Sequence, residues 1–232
     1  MGLPVTVGGK VSAADVNLIA SLPVANFAAL PASGNWLGRE VATTDTGITF
    51  RWSGSAWRLD GYVTPTSVTN GTISSTGLAA FTATTGDVTV AGAFDAATAW
   101  YEITGDLTTA SSAAISIRFG SIATGYDSQT HDVTNTSNNA GQSLNATSLS
   151  LPAVAITGRH FLRMVILNPF ATISPTGTFE ILSTANPMVA GSGVRRGAFL
   201  QRATTSVSSL IIAASSGTLA GSVRIKRIPN NH

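Results

Sequence analysis

The sequence predicts an all-β protein because strand-length segments recur along most of the chain, turn-forming residues separate them, and helical periodicity is almost absent. These segments occupy residues 87–94, 99–107, 113–119, 128–134, 142–150, 160–167, 177–183, 197–203, 206–213 and 220–228. Short strands at this spacing favour an antiparallel sandwich or barrel. A chain of 232 residues is long enough for one large β-domain preceded by a small module.

The N-terminal segment contains the one stretch with helical features. Ser12 is a suitable N-cap, Asp15 lies near the positive end of the helix dipole, and Pro23 ends the pattern. These features predict a short helix over residues 12–22. Three short strands follow, at residues 39–43, 47–52 and 56–60. We expect them to form a small β-meander, so that helix and meander make a module over residues 1–61.

The next segment, residues 62–80, is rich in Gly, Ser and Thr, and it carries no charged side chain. This composition is typical of a linker. We therefore predict a linker over residues 62–80 and a β-domain over residues 81–232.

A hairpin with two tryptophans is the most specific local pattern. Trp52 and Trp57 flank a polar turn that contains Gly54, and Phe50 shares the face of Trp52 because strand side chains alternate. The run resembles the W-x-G-x-x-W hairpin near the N-terminal end of bacteriophage tail-fibre and related virion proteins. The resemblance implies that Phe50, Trp52 and Trp57 belong to a module that attaches the chain to other virion proteins.

The C-terminal segments carry a second resemblance. Residues 205–212 lead through 216–221 into 222–228, which looks like the closing hairpin of phage jelly-roll domains, although Lys226-Arg227 replaces the usual aromatic-glycine pair. The pattern from Trp100 to Tyr126 is similar to an early hairpin of that family. The resemblance implies an antiparallel jelly-roll β-sandwich, a homotrimer, and a virion component assembled in the bacterial host cytoplasm.

The charge content is low and unevenly distributed. Charged side chains make up 10% of the chain, against the ~25% usual in globular domains, so we expect a hydroxyl-rich surface that is partly buried between subunits. Residues 1–132 carry five basic and ten acidic side chains, and residues 133–232 carry eight basic and one acidic. The basic half is either a patch for anionic polysaccharide or nucleic acid, or the counter-charge of the acidic half. Because no aromatic residues interleave the basic ones, we favour neutralisation and expect no specific nucleic-acid partner.

The chemistry-bearing residues do not form a catalytic or cofactor pattern. The histidines at 131, 160 and 232 lack zinc-ligand spacing and the chain has no cysteine, so we expect no metal and no cofactor. The run 191–197 lacks the ending of a phosphate loop and is interpreted as a mobile loop. Paired carboxylates could hydrolyse polysaccharide, and the candidates are Glu102, Asp106, Asp127, Asp132 and Glu180. The length and the lack of a repeated coil argue against such an enzyme.

Sugar binding without hydrolysis fits the composition better. It needs an aromatic face and neutral hydrogen-bonding groups, and the candidates are Trp100, Tyr101 and Tyr126, with the Asn/Ser-rich loop 134–145 near in sequence. Trp100 and Tyr101 point to opposite faces of one strand, so one of them must lie in the core. The sequence leaves open which one.

Three functions therefore remain in view. The first is a fibre or spike whose C-terminal domain binds host surface polysaccharide. The second is a capsid decoration (cement) protein, and the third is a polysaccharide depolymerase. The longest apolar run, Leu210–Ala214, is only strand length and the N-terminus lacks a signal-peptide pattern, so we expect no membrane insertion.

Overall fold

The computed structural model describes residues 23–25, 27–44, 49–59, 61–95, 100–110, 113–134, 138–151, 158–184 and 193–228. The chain divides into two compact units, Met1–Asp60 and Gly61–His232. Apart from one turn of 3-10 helix at Phe27–Ala29, the described residues form no helix. The helix expected over residues 12–22 lies outside the described residues.

The first unit contains a three-stranded antiparallel sheet. Its strands are β1 (Glu40–Ala42), β2 (Thr49–Trp52) and β3 (Trp57–Leu59), in that order. Between β2 and β3 the turn is closed by the Ser53 amide, which donates to the Ala56 carbonyl at 2.9 Å, and Gly54 adopts a φ of +96°. The three predicted short strands and the hairpin are confirmed.

The second unit is a β-sandwich with fourteen described strands. They are β4 (Ser67–Val68), β5 (Gly71–Ile73), β6 (Ala79–Thr84), β7 (Val88–Ala91), β8 (Trp100–Thr109), β9 (Ile115–Phe119), β10 (Tyr126–Thr134), β11 (Asn138–Ala146), β12 (Leu149–Leu151), β13 (Gly158–Leu167), β14 (Thr176–Thr184), β15 (Gly193–Gln201), β16 (Leu210–Ala214) and β17 (Leu219–Ile228).

These strands form two sheets. One has nine strands in the order β11-β10-β15-β14-β13-β8-β17-β6-β5, the other has five in the order β12-β9-β16-β7-β4, and every pairing is antiparallel. One hydrophobic core takes side chains from both sheets, including Ile103, Met164 and Ile225 from the first and Ile117 and Ile212 from the second. The all-β prediction is confirmed.

Three predicted loops turn out to contain strands. The segment 62–80 contains β4 and β5 and buries Val63, whose amide donates to Ile225 O at 2.8 Å, so it belongs to the sandwich rather than to a linker. Gly193 begins β15, which is paired on both sides, so residues 193–197 are not a mobile loop. β11 begins at Asn138, so residues 138–141 of the Asn/Ser-rich loop, which precede the strand predicted from residue 142, are also strand. In all three cases backbone pairing overrides a turn-rich composition.

Two glycines of the nine-stranded sheet are required by aromatic side chains on the neighbouring strand. Gly197 lies opposite Phe179, and Gly177 lies opposite Phe199. A Cβ at Gly197 would lie 2.4 Å from the Gln129 carbonyl oxygen and 2.7 Å from the Phe179 ring. Each phenylalanine ring therefore packs over the glycine of the neighbouring strand, and these two contacts stabilise the pairing of β14 with β15.

We expect Gly197→Ala to lower the free energy of unfolding by about 2–3 kcal/mol, because β10 or the Phe179 ring must move to admit the methyl group. Gly86→Ala is the control, since the nearest atom to its Cβ would be 3.9 Å away, and it should change stability by less than about 0.5 kcal/mol. Urea unfolding of both variants measures the difference. Equal stability of the two would contradict this packing.

Candidate functional site

The outward face of the nine-stranded sheet carries many polar and charged side chains of the second unit. Antiparallel pairing places side chains from successive strands in rows across this face. One row, the floor row, consists of Lys226, Glu102, Val165, Thr178, Ala198 and Gln129. The adjacent charged row consists of Arg224, Thr104, Arg163, Glu180, Arg196 and His131. Beyond it, the apolar row consists of Phe161, Leu182, Val194 and Val133.

A groove of about 640 Å³ crosses this face over β13, β14, β15 and β10. Small side chains at Thr178 and Ala198 form its floor, while Arg163, Arg196 and His131 rise along the charged row. We call it the main groove. Its shape follows from the sequence, because on β14 and β15 a short side chain in the floor row lies one outward position away from a long one in the charged row.

The charges in the main groove are balanced within the chain. Arg196 Nε lies 2.5 Å from Glu180 Oε2, and Arg163 Nε lies 2.6 Å from Glu102 Oε1. Both arginines are more than two thirds exposed, so these pairs orient the side chains more than they stabilise the fold. The groove therefore presents fixed hydrogen-bonding groups with little net charge.

Of the three aromatic residues proposed to bind sugar, only Trp100 remains available. It points outward from β8 and is 38% exposed. Tyr101 is fully buried, and its hydroxyl donates to Asp95 O at 2.8 Å and accepts from Asp95 N at 2.9 Å. Burial raises the pKa of Tyr101 to about 12. The question left open by the sequence is answered: Tyr101 is the core residue of the pair.

Tyr126 is also a core residue, and the proposal that it binds sugar is wrong for the same reason as for Tyr101. Its side chain is 1% exposed, and its hydroxyl accepts from the Phe119 amide at 2.8 Å and donates to Ile122 O at 3.1 Å. Burial raises the pKa of this phenol. A ring enclosed in this way has no face left for a ligand.

Each carboxylate considered for hydrolysis is held by an arginine. The pairs are Glu102–Arg163, Asp106–Arg159, Asp127–Arg202, Asp132–Arg195 and Glu180–Arg196. The Arg159 guanidinium lowers the pKa of Asp106, and Arg202 lowers that of Asp127. A general acid for glycoside cleavage needs a raised pKa, so these two groups are shifted in the wrong direction.

The arginines of the C-terminal half neutralise the acidic half, as the sequence favoured. Five of these arginines pair with carboxylates before residue 133, namely Arg159, Arg163, Arg195, Arg202 and Arg227, and Arg196 pairs with Glu180. Charged side chains that are unevenly distributed along the sequence are therefore paired with opposite charges in the fold. No cluster of three or more metal-ligating side chains occurs in the described part of the chain.

The aromatic residues of the first unit divide into core and surface. Phe50 and Trp57 are buried, and the Trp57 indole donates to Pro31 O at 2.8 Å. Trp52 is half-buried and packs edge-to-face on Trp57, with ring centroids 5.5 Å apart. Phe50 and Trp57 therefore hold the module together rather than contact a partner. Leu37, 76% exposed, is an apolar surface residue that the sequence analysis missed, because no periodic pattern marks it.

The apolar row was also missed by sequence reasoning. Phe161, Leu182 and Val133 are between 37% and 47% exposed, and they come from three strands whose order the sequence did not reveal. The outward position of each could be read from the strand alternation, but their assembly into one row depends on the β13-β14-β15-β10 pairing.

Comparisons with protein-family models, curated proteins and solved structures found no match to this chain. Among the described residues, the structure has no helix with the length and hydropathy needed to span a bilayer.

His160 is a buried polar residue that ties three strands together. Its ring lies 3.0 Å from Thr109 Oγ1 and 2.8 Å from Ser183 Oγ, which places it between β8 and β14 on the inward face. Burial lowers its pKa below the usual 6.5. The neutral ring is therefore a structural hydrogen-bonding group of the core.

His160→Gln should lower the free energy of unfolding at pH 7.5 by about 1–2 kcal/mol, since it disrupts two buried hydrogen bonds. Because the folded pKa is below the unfolded one, the wild type is fully stabilised above pH 6.5 and loses stability as the pH falls below it. The difference between the two chains should therefore be smaller at pH 5. Urea unfolding at both pH values measures it, and a pH-independent difference would contradict the buried neutral ring.

Proposed function

We propose that this chain is a structural protein of a bacteriophage particle, a fibre or spike whose β-sandwich binds polysaccharide on the host surface. The observation that carries the proposal is the main groove with outward-facing Trp100 on the same sheet face. Sugar binding needs an aromatic surface and fixed hydrogen-bonding groups. This face offers both.

The strand order supports a jelly roll within the sandwich. Eight strands divide into two four-stranded sets, β13-β8-β17-β6 in one sheet and β12-β9-β16-β7 in the other. In the proposal, these two sets are the sheets of a double Greek key. The hairpins β10-β11 and β14-β15 extend the first sheet, and most of the main groove lies on this extension. Binding on an addition to a common scaffold is a frequent way for one fold to gain a function.

The first unit is proposed to attach the chain to other virion proteins. The resemblance of the Trp52–Trp57 hairpin to those of tail-fibre proteins supports this role, and so does its separation as a compact unit. In the same proposal the chain is a homotrimer, which gives the avidity that a weak single-site sugar contact lacks. The low charge content supports burial of surface between protein chains.

Capsid decoration is the second candidate, and the apolar row is the observation that favours it. A cement protein would cover this row with capsid subunits and need no glycan. A density map of the intact particle separates the two functions, because a fibre projects from the particle and a cement protein lies between capsomers. The chain is proposed to have no catalytic activity, since each candidate carboxylate is held by an arginine.

Ala198→Leu should weaken binding to bacterial surface polysaccharides about tenfold, because the larger side chain fills the main groove. Ala140→Leu is the matched control: Ala140 is exposed on β11, lies opposite His131, and is not part of the groove lining. Trp100→Ala should weaken binding by a similar factor. A polysaccharide array probed with the four labelled proteins measures the effect, and unchanged binding of Ala198→Leu would exclude the groove as the site.

Light scattering of the purified chain should give three times the chain mass of 23.7 kDa. A monomer at micromolar concentration would contradict the trimer and, with it, the avidity on which weak sugar binding depends.

A further inference from the structure

A second groove, of about 330 Å³, lies on the same outward face, over β17, β8 and β13. Its lining includes Leu78, Thr104, Asp106, Phe161, Ser222 and Arg224. It adjoins the main groove because Thr104 of one lining is the direct cross-strand partner of Arg163 of the other. Together the two grooves cross six adjacent strands, a span of about 24 Å at the usual strand spacing. This length suits an oligosaccharide.

Arg224 differs from the other arginines of this face. Arg159, Arg163 and Arg196 each hold a carboxylate, whereas Arg224 forms no ion pair with any described residue. Its guanidinium carbon lies 5.4 Å from the centroid of the Tyr62 ring.

The hydrogen bonds of Arg224 leave donors unused. Nη2 has one long hydrogen bond, 3.4 Å, to Thr76 Oγ1, and Nε is buried with no partner. Packing thus fixes the side chain while its terminal amino groups remain under-used. A buried orphan donor costs free energy, so a fixed, unpaired guanidinium needs an explanation.

The neighbours of Arg224 indicate what it would bind. Asp106 does not cancel its charge, because Arg159 Nε holds that carboxylate at 2.7 Å. Thr104 and Ser222 supply hydroxyl groups, and Phe161 supplies an apolar wall that is 39% exposed. A sugar acid presents the complementary groups: a carboxylate, ring hydroxyls and an apolar C–H face. Arginine is well suited to carboxylates because two parallel N–H groups can bind both oxygens.

We propose that the second groove is a subsite for an acidic sugar residue, whose carboxylate is bound by Arg224. The proposal rests on the polysaccharide-binding function and specifies the class of polysaccharide: one with uronic-acid units. The rest of the oligosaccharide then continues across Thr104 and Arg163 into the main groove.

The test uses the full chain and oligosaccharides from bacterial capsules that contain glucuronic acid, each also supplied in a carboxyl-reduced, neutral form. The wild type should bind the acidic form about tenfold more tightly, since a charge-assisted pair of hydrogen bonds is lost on reduction. Arg224→Gln should bring the two affinities within about twofold, mainly by lowering the affinity for the acidic form, and an unchanged urea unfolding midpoint shows that the variant is folded. Titration calorimetry measures both affinities.

Lys226→Gln is the matched control. Lys226 is the next outward position on β17 and carries the same charge, but it lies outside both groove linings. It should keep the preference for the acidic form. Equal loss of preference in both variants would overturn the subsite in favour of a diffuse positive field. Equal binding of both sugar forms by the wild type would overturn the subsite alone, and binding of neither form would overturn the polysaccharide-binding function as well.

Discussion

The hydrogen-bonded ladder that joins β8, β13, β14, β15 and β10 is the constraint on which the rest of the second unit depends. Side chains alternate between the two faces along each strand, and residues paired across two strands point to the same face. The register of pairing therefore determines which residues lie on each face of the sheet. His160, Leu162 and Met164 enter the core, so Phe161 and Arg163 must face outward. A slip of one residue would bury these two and expose the core.

The same register distributes the charges. Direct and diagonal cross-strand neighbours bring carboxylates from before residue 133 against arginines from after it, at sequence separations of 53 for Asp106–Arg159 and 75 for Asp127–Arg202. These pairs are mostly exposed and contribute little stability individually. In the proposed function their effect is on recognition, because they cancel charge over much of the outward face, and a cation such as Arg224 that has no ion pair with a described residue then becomes a distinct feature. Arg224 is recognisable as unusual only because its neighbours are matched.

The sequence predicts the structural features that depend on the alternation of side chains along one strand. It does not predict the features that depend on which strands pair with each other. The strands were predictable from apolar residues at alternate positions. The placement of Trp100 and Tyr101 on opposite faces of one strand was predictable in the same way. Which of these two is buried depends on the sandwich interior, where Phe94 packs 5.1 Å from the Tyr101 ring, and no local signal encodes that contact. The segment 62–80 was misassigned because Val63, Val68 and Ile73 are widely spaced among turn formers. Val68 and Ile73 become sheet residues only through pairing with β7 and β6, and Val63 is held by a backbone hydrogen bond to β17. The grooves lie across strands distant in sequence, so no linear pattern could show them.

In the proposed function, the hairpins β10-β11 and β14-β15 link the stability of the sheet to recognition. Gly197 is small because Phe179 needs its space on the inward side, and the next residue, Ala198, is small on the outward side, where it forms the groove floor. These two consecutive residues therefore serve the core on one face of the sheet and the groove floor on the other. Substitutions in the groove floor must leave the packing of each phenylalanine over its glycine intact. Losing this packing would displace β14 relative to β15, and Glu180 and Arg196 would move with these strands. The side chains at outward positions of the groove can thus vary without a change in the backbone that supports them, a property that the proposed recognition of host polysaccharides would need.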